Sequence, residues 1–279
     1  MTLACKICKS PVETLLRGRI LGKYDVDYFR CRGCGFIQTE EPYWLDEAYS
    51  SAVADIDLGP INRALVGSRI VEGMILAFFD PNAKYVDWGG GYGIFTRMMR
   101  DLGYDFYWKD LYCENLFAKP FEAEASQRYE LLTAFELFEH LADPIAEIEK
   151  MLAVAPNIFF TTLLVPPAVR PDWWYFLPET GQHIALYTRP ALEEIARRFG
   201  LQLNSDGANN HLLSKRPLSP RLFRTMIRNG RAAALARRVL RRKAGKTTLL
   251  EKDFEAVSGL RLQGPRPRAE GAAGNIGDA

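Results

Sequence analysis

The stretch YVDWGGGYGIFT, residues 85–96, decides the fold. It opens as an apolar strand that ends in the acidic Asp87 and the bulky Trp88. Gly89, Gly90 and Gly91 follow, then Tyr92 and Gly93, and from Ile94 the pattern turns helical. Glycine at 89, 91 and 93 lets the backbone turn sharply between strand and helix, and lets a ligand approach it closely. The last glycine of the dinucleotide fingerprint would fall at Thr96, so that fingerprint is incomplete. Asp87 makes the turn more specific, because a carboxylate there can accept hydrogen bonds from a ligand's ammonium group.

Seventeen residues beyond Gly93, Asp110 closes the next apolar run, DFYWKD (105–110). An acid at that place can hold both hydroxyls of a ribose, and the competing reading is a cap on the chain that follows. Further out, strands are predicted at 85–88, 106–108, 129–134 and 157–164, alternating with helices at 94–102, 144–153 and 190–199. Such alternation implies an α/β fold, a Rossmann-like doubly wound sheet. In INRALVGSRIVEGMILAFF (61–79), Ile61, Leu65, Ile70, Met74 and Phe78 mark an amphipathic helix ahead of that sheet.

Four of the five cysteines form two CxxC pairs, Cys5 with Cys8 and Cys31 with Cys34, separated by 22 residues. Each such turn presents two sulfurs, and four thiolates satisfy tetrahedral zinc. Four cysteines leave no open coordination position, so the zinc is expected to be structural or to shape a substrate-facing surface. The competing readings are buried free thiols or a redox dithiol.

The chain of 279 residues is 48% hydrophobic and 25% charged, with a formal net charge of +2. No apolar run is long enough for a membrane span, and no signal core precedes the cysteines. A cytoplasmic location is the expectation, with the inner membrane surface as a second site. Charge is uneven: residues 215–252 hold 13 Lys or Arg against one acid, Glu251. In LFRTMIRNGRAAALARRVLRRKAG (222–245), Leu222, Phe223, Met226 and Ile227 form one apolar face, and Leu235, Val239 and Leu240 a second. Solvated helices are the first reading, with a membrane-surface helix or a clamp on an anionic substrate as rivals. The expected organisation is a zinc-ribbon-like module (1–40), a helical connector (41–83), a catalytic domain (84–214), a basic helical extension (215–262) and a disordered tail (263–279).

The chain resembles the class I S-adenosylmethionine-dependent methyltransferases. VDWGGGYG (86–93) looks like their first motif, and TAFELFEHLADP (133–144) like their fourth-strand motif. GQHIALYTRPALEEIARRFGL (181–201) is similar to a late segment of the methyltransferases of sugar and polysaccharide pathways, several of which begin with a CxxC…CxxC module. The resemblance covers residues 1–205. It implies that Asp87, Trp88, Gly89, Gly90, Gly91 and Gly93 surround the methionine part of S-adenosylmethionine, and that Asp110 binds its ribose. It further implies that Ala134, Phe135 and Glu136 line the cofactor. Leu111 is assigned to the adenine side and Tyr49 to the outer wall. Two departures stand out. The span from Asp110 to Tyr129 is short, which reduces the third strand to FAKPF (117–121), and the large C-terminal domain of the sugar C-methyltransferases has no counterpart.

Methyl transfer needs in-line positioning, plus a base when the nucleophile is a hydroxyl. Of three histidines, His183 is the first candidate for base or substrate contact and His140 the second. His211, in the polar NSDGANNHLL (204–213), reads as exposed. The aromatic run from Arg170 to Pro178 offers faces for a sugar ring or another planar substrate, or fills its own core. The leading expectation is methyl transfer to a hydroxyl or amine of a small-molecule or glycan-linked acceptor. A second is RNA or protein methylation with the zinc module as docking surface, nucleic acid being the less favoured partner. A third is a non-catalytic zinc-containing interaction protein.

Overall fold

A computed structural model of the chain describes residues 3–49, 58–228 and 230–261. The tail expected at 263–279 lies outside the described residues. The strands are β1 (Val12–Ile20), β2 (Tyr24–Cys31), β3 (Ile37–Thr39), β4 (Lys84–Trp88), β5 (Asp105–Lys109), β6 (Leu131–Ala134), β7 (Ile158–Thr161), β8 (Ala185–Leu186), β9 (Gln202–Ser205) and β10 (Asn210–Ser214). The helices are α1 (Leu45–Ala48), α2 (Pro60–Phe78), α3 (Ile94–Asp101), α4 (Pro144–Val154), α5 (Arg189–Arg198), α6 (Pro220–Ile227), α7 (Arg231–Lys243) and α8 (Leu250–Ser258).

The larger sheet has the order β5-β4-β6-β7-β10-β9. Its first four strands are parallel, and β10 runs antiparallel to both β7 and β9. Period-two alternation sorts its side chains into two cores. Tyr85, Leu131, Phe159 and Leu212 pack with α2, α3 and α6 on one face. Val86, Leu132, Phe160 and Leu213 pack with α4 and α5 on the other. The shortened third strand survives as a single parallel bridge from Trp108 to Glu122, just past FAKPF, flanked by backbone bonds to Phe121 and Ala123.

The helix starts follow local chemistry. Asp143 accepts from the Ala146 amide and Thr188 from the Ala191 amide, each with proline inside the first turn, where its missing N–H costs nothing. In α2 the apolar assignment shifts. Ile70 and Met74 are buried, but Ile61 and Leu65 face solvent, and Ala64, Val71 and Ile75 complete the inward face.

The smaller sheet has the order β1-β2-β3-β8. Its last strand comes from beyond residue 180, so the cysteine segment is joined to the main body by backbone pairing of Ile37 with Leu186 and Gln38 with Ala185. Cys5, Ile7, Cys34 and Phe36 share the core of α5.

The basic stretch folds as α6 and α7 against α2. Phe223, Met226 and Ile227 are buried as read, whereas Leu222, Leu235 and Val239 are exposed. The inward residues of α7 are Ala233 and Arg237, and of the expected second face only Leu240 packs, partly buried beside Ala236. Part of the stretch's charge is used internally, which none of the three readings anticipated, with Arg241 donating to Glu72 at 2.6 Å. His211 also departs from expectation. It lies in β10, fully buried, with Nε2 at 3.0 Å from the Thr162 carbonyl and Nδ1 at 2.9 Å from the Ser205 hydroxyl. Burial holds it neutral by lowering its pKa to about 4. No helix among the described residues is long and apolar enough to cross a membrane.

Candidate active site and cysteine cluster

The carboxyl ends of β4, β5 and β6 open on a cavity of about 500 Å³. At one end lies the glycine turn. Gly89 and Gly90 donate to the Lys109 carbonyl, and the Trp108 indole donates to the Gly91 carbonyl at 2.7 Å. A Cβ on Gly90 would meet the Trp108 ring at 2.7 Å and Asp87 Oδ2 at 2.9 Å, so only glycine fits between them. Gly91, at φ +53°, has open space above it and faces the cavity.

Asp87 is 2% exposed, and the Thr133 hydroxyl donates to its Oδ1 at 2.8 Å. Burial, only partly opposed by that bond, raises its pKa to about 7. Asp110 Oδ2 accepts from the Gly91 amide, and Oδ1 from the amides of Tyr112 and Cys113. The cap reading is thus present, and each carboxylate oxygen with two lone pairs leaves Oδ2 capacity for one more donor.

Of the residues assigned to the cofactor, Asp87, Gly89, Gly90, Gly91, Asp110, Phe135, Glu136 and Tyr49 line this cavity. Four do not. Trp88 follows Asp87 on a strand and so points to the opposite face, where the Lys109 ammonium lies 4.2 Å from its ring centre. Ala134 is buried in the α4–α5 core. Gly93 backs onto Asn115 and Ala118. Leu111 is 78% exposed, and its neighbour Tyr112 takes the wall instead, stacked on Tyr49 with ring centres 4.7 Å apart.

The other end of the cavity gathers His140, His183, Glu136 and Tyr175. The two imidazoles lie 5.2 Å apart, centre to centre. His183 Nδ1 is 2.7 Å from the Tyr175 carbonyl, and a carbonyl only accepts, so Nδ1 carries the proton. Burial lowers the pKa of His183, leaving a neutral ring with a basic Nε2. His140 Nδ1 is 3.0 Å from the Tyr49 hydroxyl. Glu136, at φ +45°, receives the Thr161 hydroxyl, and burial with Glu139 beside it raises its pKa to about 7. Glu139 and Tyr112 were not assigned from the sequence, and Tyr175 was read only as part of the aromatic run. For Glu139 a signal existed, its place one residue before His140.

The aromatic run divides. Tyr175 and Phe176 pack into a third core with Tyr28, Ile37 and Trp44, while Trp174 stays 65% exposed on the cavity wall. The cysteine segment braces this loop: Trp44 Nε1 donates to the Gly181 carbonyl and Thr39 to that of Ile184. In the segment itself, all four sulfurs lie within 4.8 Å of one another, with Cys5 to Cys34 at 3.7 Å and Cys8 to Cys31 at 3.4 Å. A zinc tetrahedron with ~2.3 Å bonds has edges of about 3.8 Å, which this cluster nearly meets.

Residues 67–205, just under half of the chain, match the family model described as a methyltransferase domain. These residues are matched as a methyltransferase domain. No curated protein sequence matches it. Solved structures similar to the chain include CalO1, a methyltransferase in calicheamicin biosynthesis (12% identity, TM-score 0.40, 56% of this chain and 55% of that one). They also include magnesium protoporphyrin IX methyltransferase from Synechocystis PCC 6803 (12%, 0.41, 61% and 90%) and human N-acetylserotonin methyltransferase (13%, 0.42, 63% and 67%). The chain thus spans about half the length of the first of these. The methyltransferase domain contains both the glycine turn and the two histidines, but not the four cysteines or Tyr49.

Proposed function

We propose that this protein transfers a methyl group from S-adenosylmethionine to a hydroxyl or amine of a small-molecule or glycan-linked acceptor. The observation that carries this reading is a single cavity joining the glycine turn and Asp87 to His140 and His183. Its volume falls within the ~300–1,000 Å³ of small-molecule sites. S-adenosylmethionine, when bound, supplies a methyl carbon on a positively charged sulfur. Asp87 receives the ammonium of the donor, the open face of Gly91 admits its chain, and Asp110 Oδ2 accepts from a ribose hydroxyl. The stacked Tyr49 and Tyr112 close the outer wall.

At the other end, Trp174 offers an exposed ring face of the kind that packs on a sugar. The acceptor's lone pair attacks in line, and its proton passes to Glu136, whose pKa burial raises to about 7, or to the unprotonated Nε2 of His183. The four cysteines hold Zn²⁺ as a structural ion, and their sheet fixes the loop that carries Trp174 and His183.

The test is a screen of acceptors, reading S-adenosylhomocysteine released by the zinc-loaded protein. Turnover on saccharide hydroxyls or amines is expected, with His183→Ala lowering kcat by about 100-fold or more while donor binding persists. Turnover confined to RNA or polypeptide acceptors would contradict the proposed acceptor class.

A further inference from the structure

Glu139 is fully buried, and its two oxygens are treated unequally. Oε1 accepts from the Tyr175 hydroxyl at 2.5 Å, while Oε2 has no hydrogen-bond partner. An ionised carboxylate with one bare oxygen in a dry site is costly unless it takes up a proton or a positive charge completes it. Glu139, His140 and His183 each bring one donor atom to within 4.8 Å of the others. Two imidazoles and one carboxylate form the donor set that binds divalent first-row transition ions and leaves further positions open.

We propose that Glu139 Oε2, His140 and His183 Nε2 bind one divalent transition-metal ion at the acceptor end of the cavity, and that the acceptor's oxygen or nitrogen joins it there. The outer contacts are those that metal ligands ordinarily have. A ligating histidine donates its second N–H to a carbonyl or similar acceptor, and His183 Nδ1–H already donates to the Tyr175 carbonyl. His140 Nδ1 faces the Tyr49 hydroxyl, which burial keeps protonated and able to accept as well as donate. The Tyr175 hydroxyl holds Oε1 and so directs Oε2 to the ion. Ligands ~2.1 Å from a common ion sit about 3 Å apart, so binding draws the three side chains together by roughly 1–2 Å.

The ion's role rests on the methyl-transfer reading. An acceptor hydroxyl on the ion becomes more acidic, as metal-bound water does. With His183 Nε2 occupied, the acceptor's proton goes to Glu136, the carboxylate that lines the same end of the cavity as the two histidines. The oxygen pair forms the new C–O bond as the C–S bond of the donor breaks and its pair stays on sulfur, leaving a neutral thioether.

The experiment titrates Mn²⁺ into the full-length protein with its cysteines already zinc-loaded, reading free Mn²⁺ by electron paramagnetic resonance. One Mn²⁺ per chain is expected. Glu139→Gln and His183→Asn should weaken it by about 10- to 100-fold or more, and Tyr175→Phe, which removes only the hydroxyl, by about 10-fold. Far-UV dichroism identifies any variant that fails to fold, and Tyr175→Phe then carries the comparison. No Mn²⁺ binding by the native protein, or equal binding by the folded variants, overturns the proposal. Calorimetry with S-adenosylmethionine on the same samples separates the two claims. Donor binding without Mn²⁺ binding sinks the ion alone, and Mn²⁺ binding without donor binding sinks the methyl-transfer reading alone.

Discussion

Asp87 is an acid whose native pKa, about 7, stands above its ordinary value because the side chain is buried beside the glycine turn. Two consequences differ in sign. In the free protein the native state holds a proton that the unfolded chain has released, so stability falls as pH rises from about 4 to 7. Asp87→Asn removes that loss and should gain on the native protein by a few kcal/mol across this window in urea unfolding. A ligand ammonium reverses the preference by favouring the carboxylate. Donor affinity should therefore fall by up to about tenfold per unit as pH drops below 7, and vanish in Asp87→Asn. A flat affinity between pH 8 and 6 would contradict the assignment. At this scale the sequence was legible where backbone chemistry left few choices, as at Gly90 and Gly91. It was less so where one position changes the face. Trp88 and Leu111 each stand one residue from a cavity-lining side chain, Asp87 and Tyr112, and neighbours on a strand or tight turn point apart.

Among the elements, the strand–helix alternation from β4 to α5 was readable because apolar periodicity and proline or acidic starts agree there. β9 and β10 were hidden in a polar stretch. Their side chains satisfy one another, as His211 does with Ser205, so burial goes with polar rather than apolar residues. The hairpin strands of the cysteine segment were likewise hard to read, since β1 exposes four of its nine residues. The basic extension shows the opposite effect, a charged segment that docks through its charges. Asp253 of α8 is buried and accepts from Nε and Nη2 of Arg100, with Arg97 also at 2.8 Å. The Arg100 guanidinium lies 3.5 Å from the Phe121 ring centre, which places it between sheet edge and α8. Removing one partner of such a buried set leaves uncompensated charge, so Asp253→Ala should cost about 3 kcal/mol or more in urea unfolding. A loss under about 1 kcal/mol would show that α8 is held by something else.

For the whole molecule, the cysteine segment and the methyltransferase domain share one core and one sheet. Gln38 pairs with Ala185, and Thr188 joins the Cys34 carbonyl to the start of α5. CxxC spacing disclosed the cluster but not this junction, because β8 is two residues long and pairs with a strand nearly 150 residues away. Stripping the zinc proposed for the four cysteines should therefore disturb the main body as well. With chelator, a single thermal transition is expected to move down by about 10 °C or more, as the ion's binding energy is folding energy. A separate low-temperature step with the main transition unmoved would mean that the two parts fold independently. The same junction explains why the acceptor end was only half visible in the sequence. His140 and His183 could be named, but Glu139 and Tyr175 become partners only when the sheet of the cysteine segment presses the aromatic loop onto α/β strands far away in sequence.

The most direct test of the central claim is calorimetric titration of S-adenosylmethionine into the zinc-loaded protein and into Gly91→Arg. A Cβ at Gly91 meets nothing within 4 Å, so the arginine enters the cavity without displacing a neighbour; its φ of +53° strains any side chain there, and far-UV dichroism checks that the variant folds. Micromolar binding by the native chain, weakened by about 100-fold or more in the variant, is the result predicted for a donor seated on the glycine turn. No binding by the folded native protein, or equal binding by both, would contradict it.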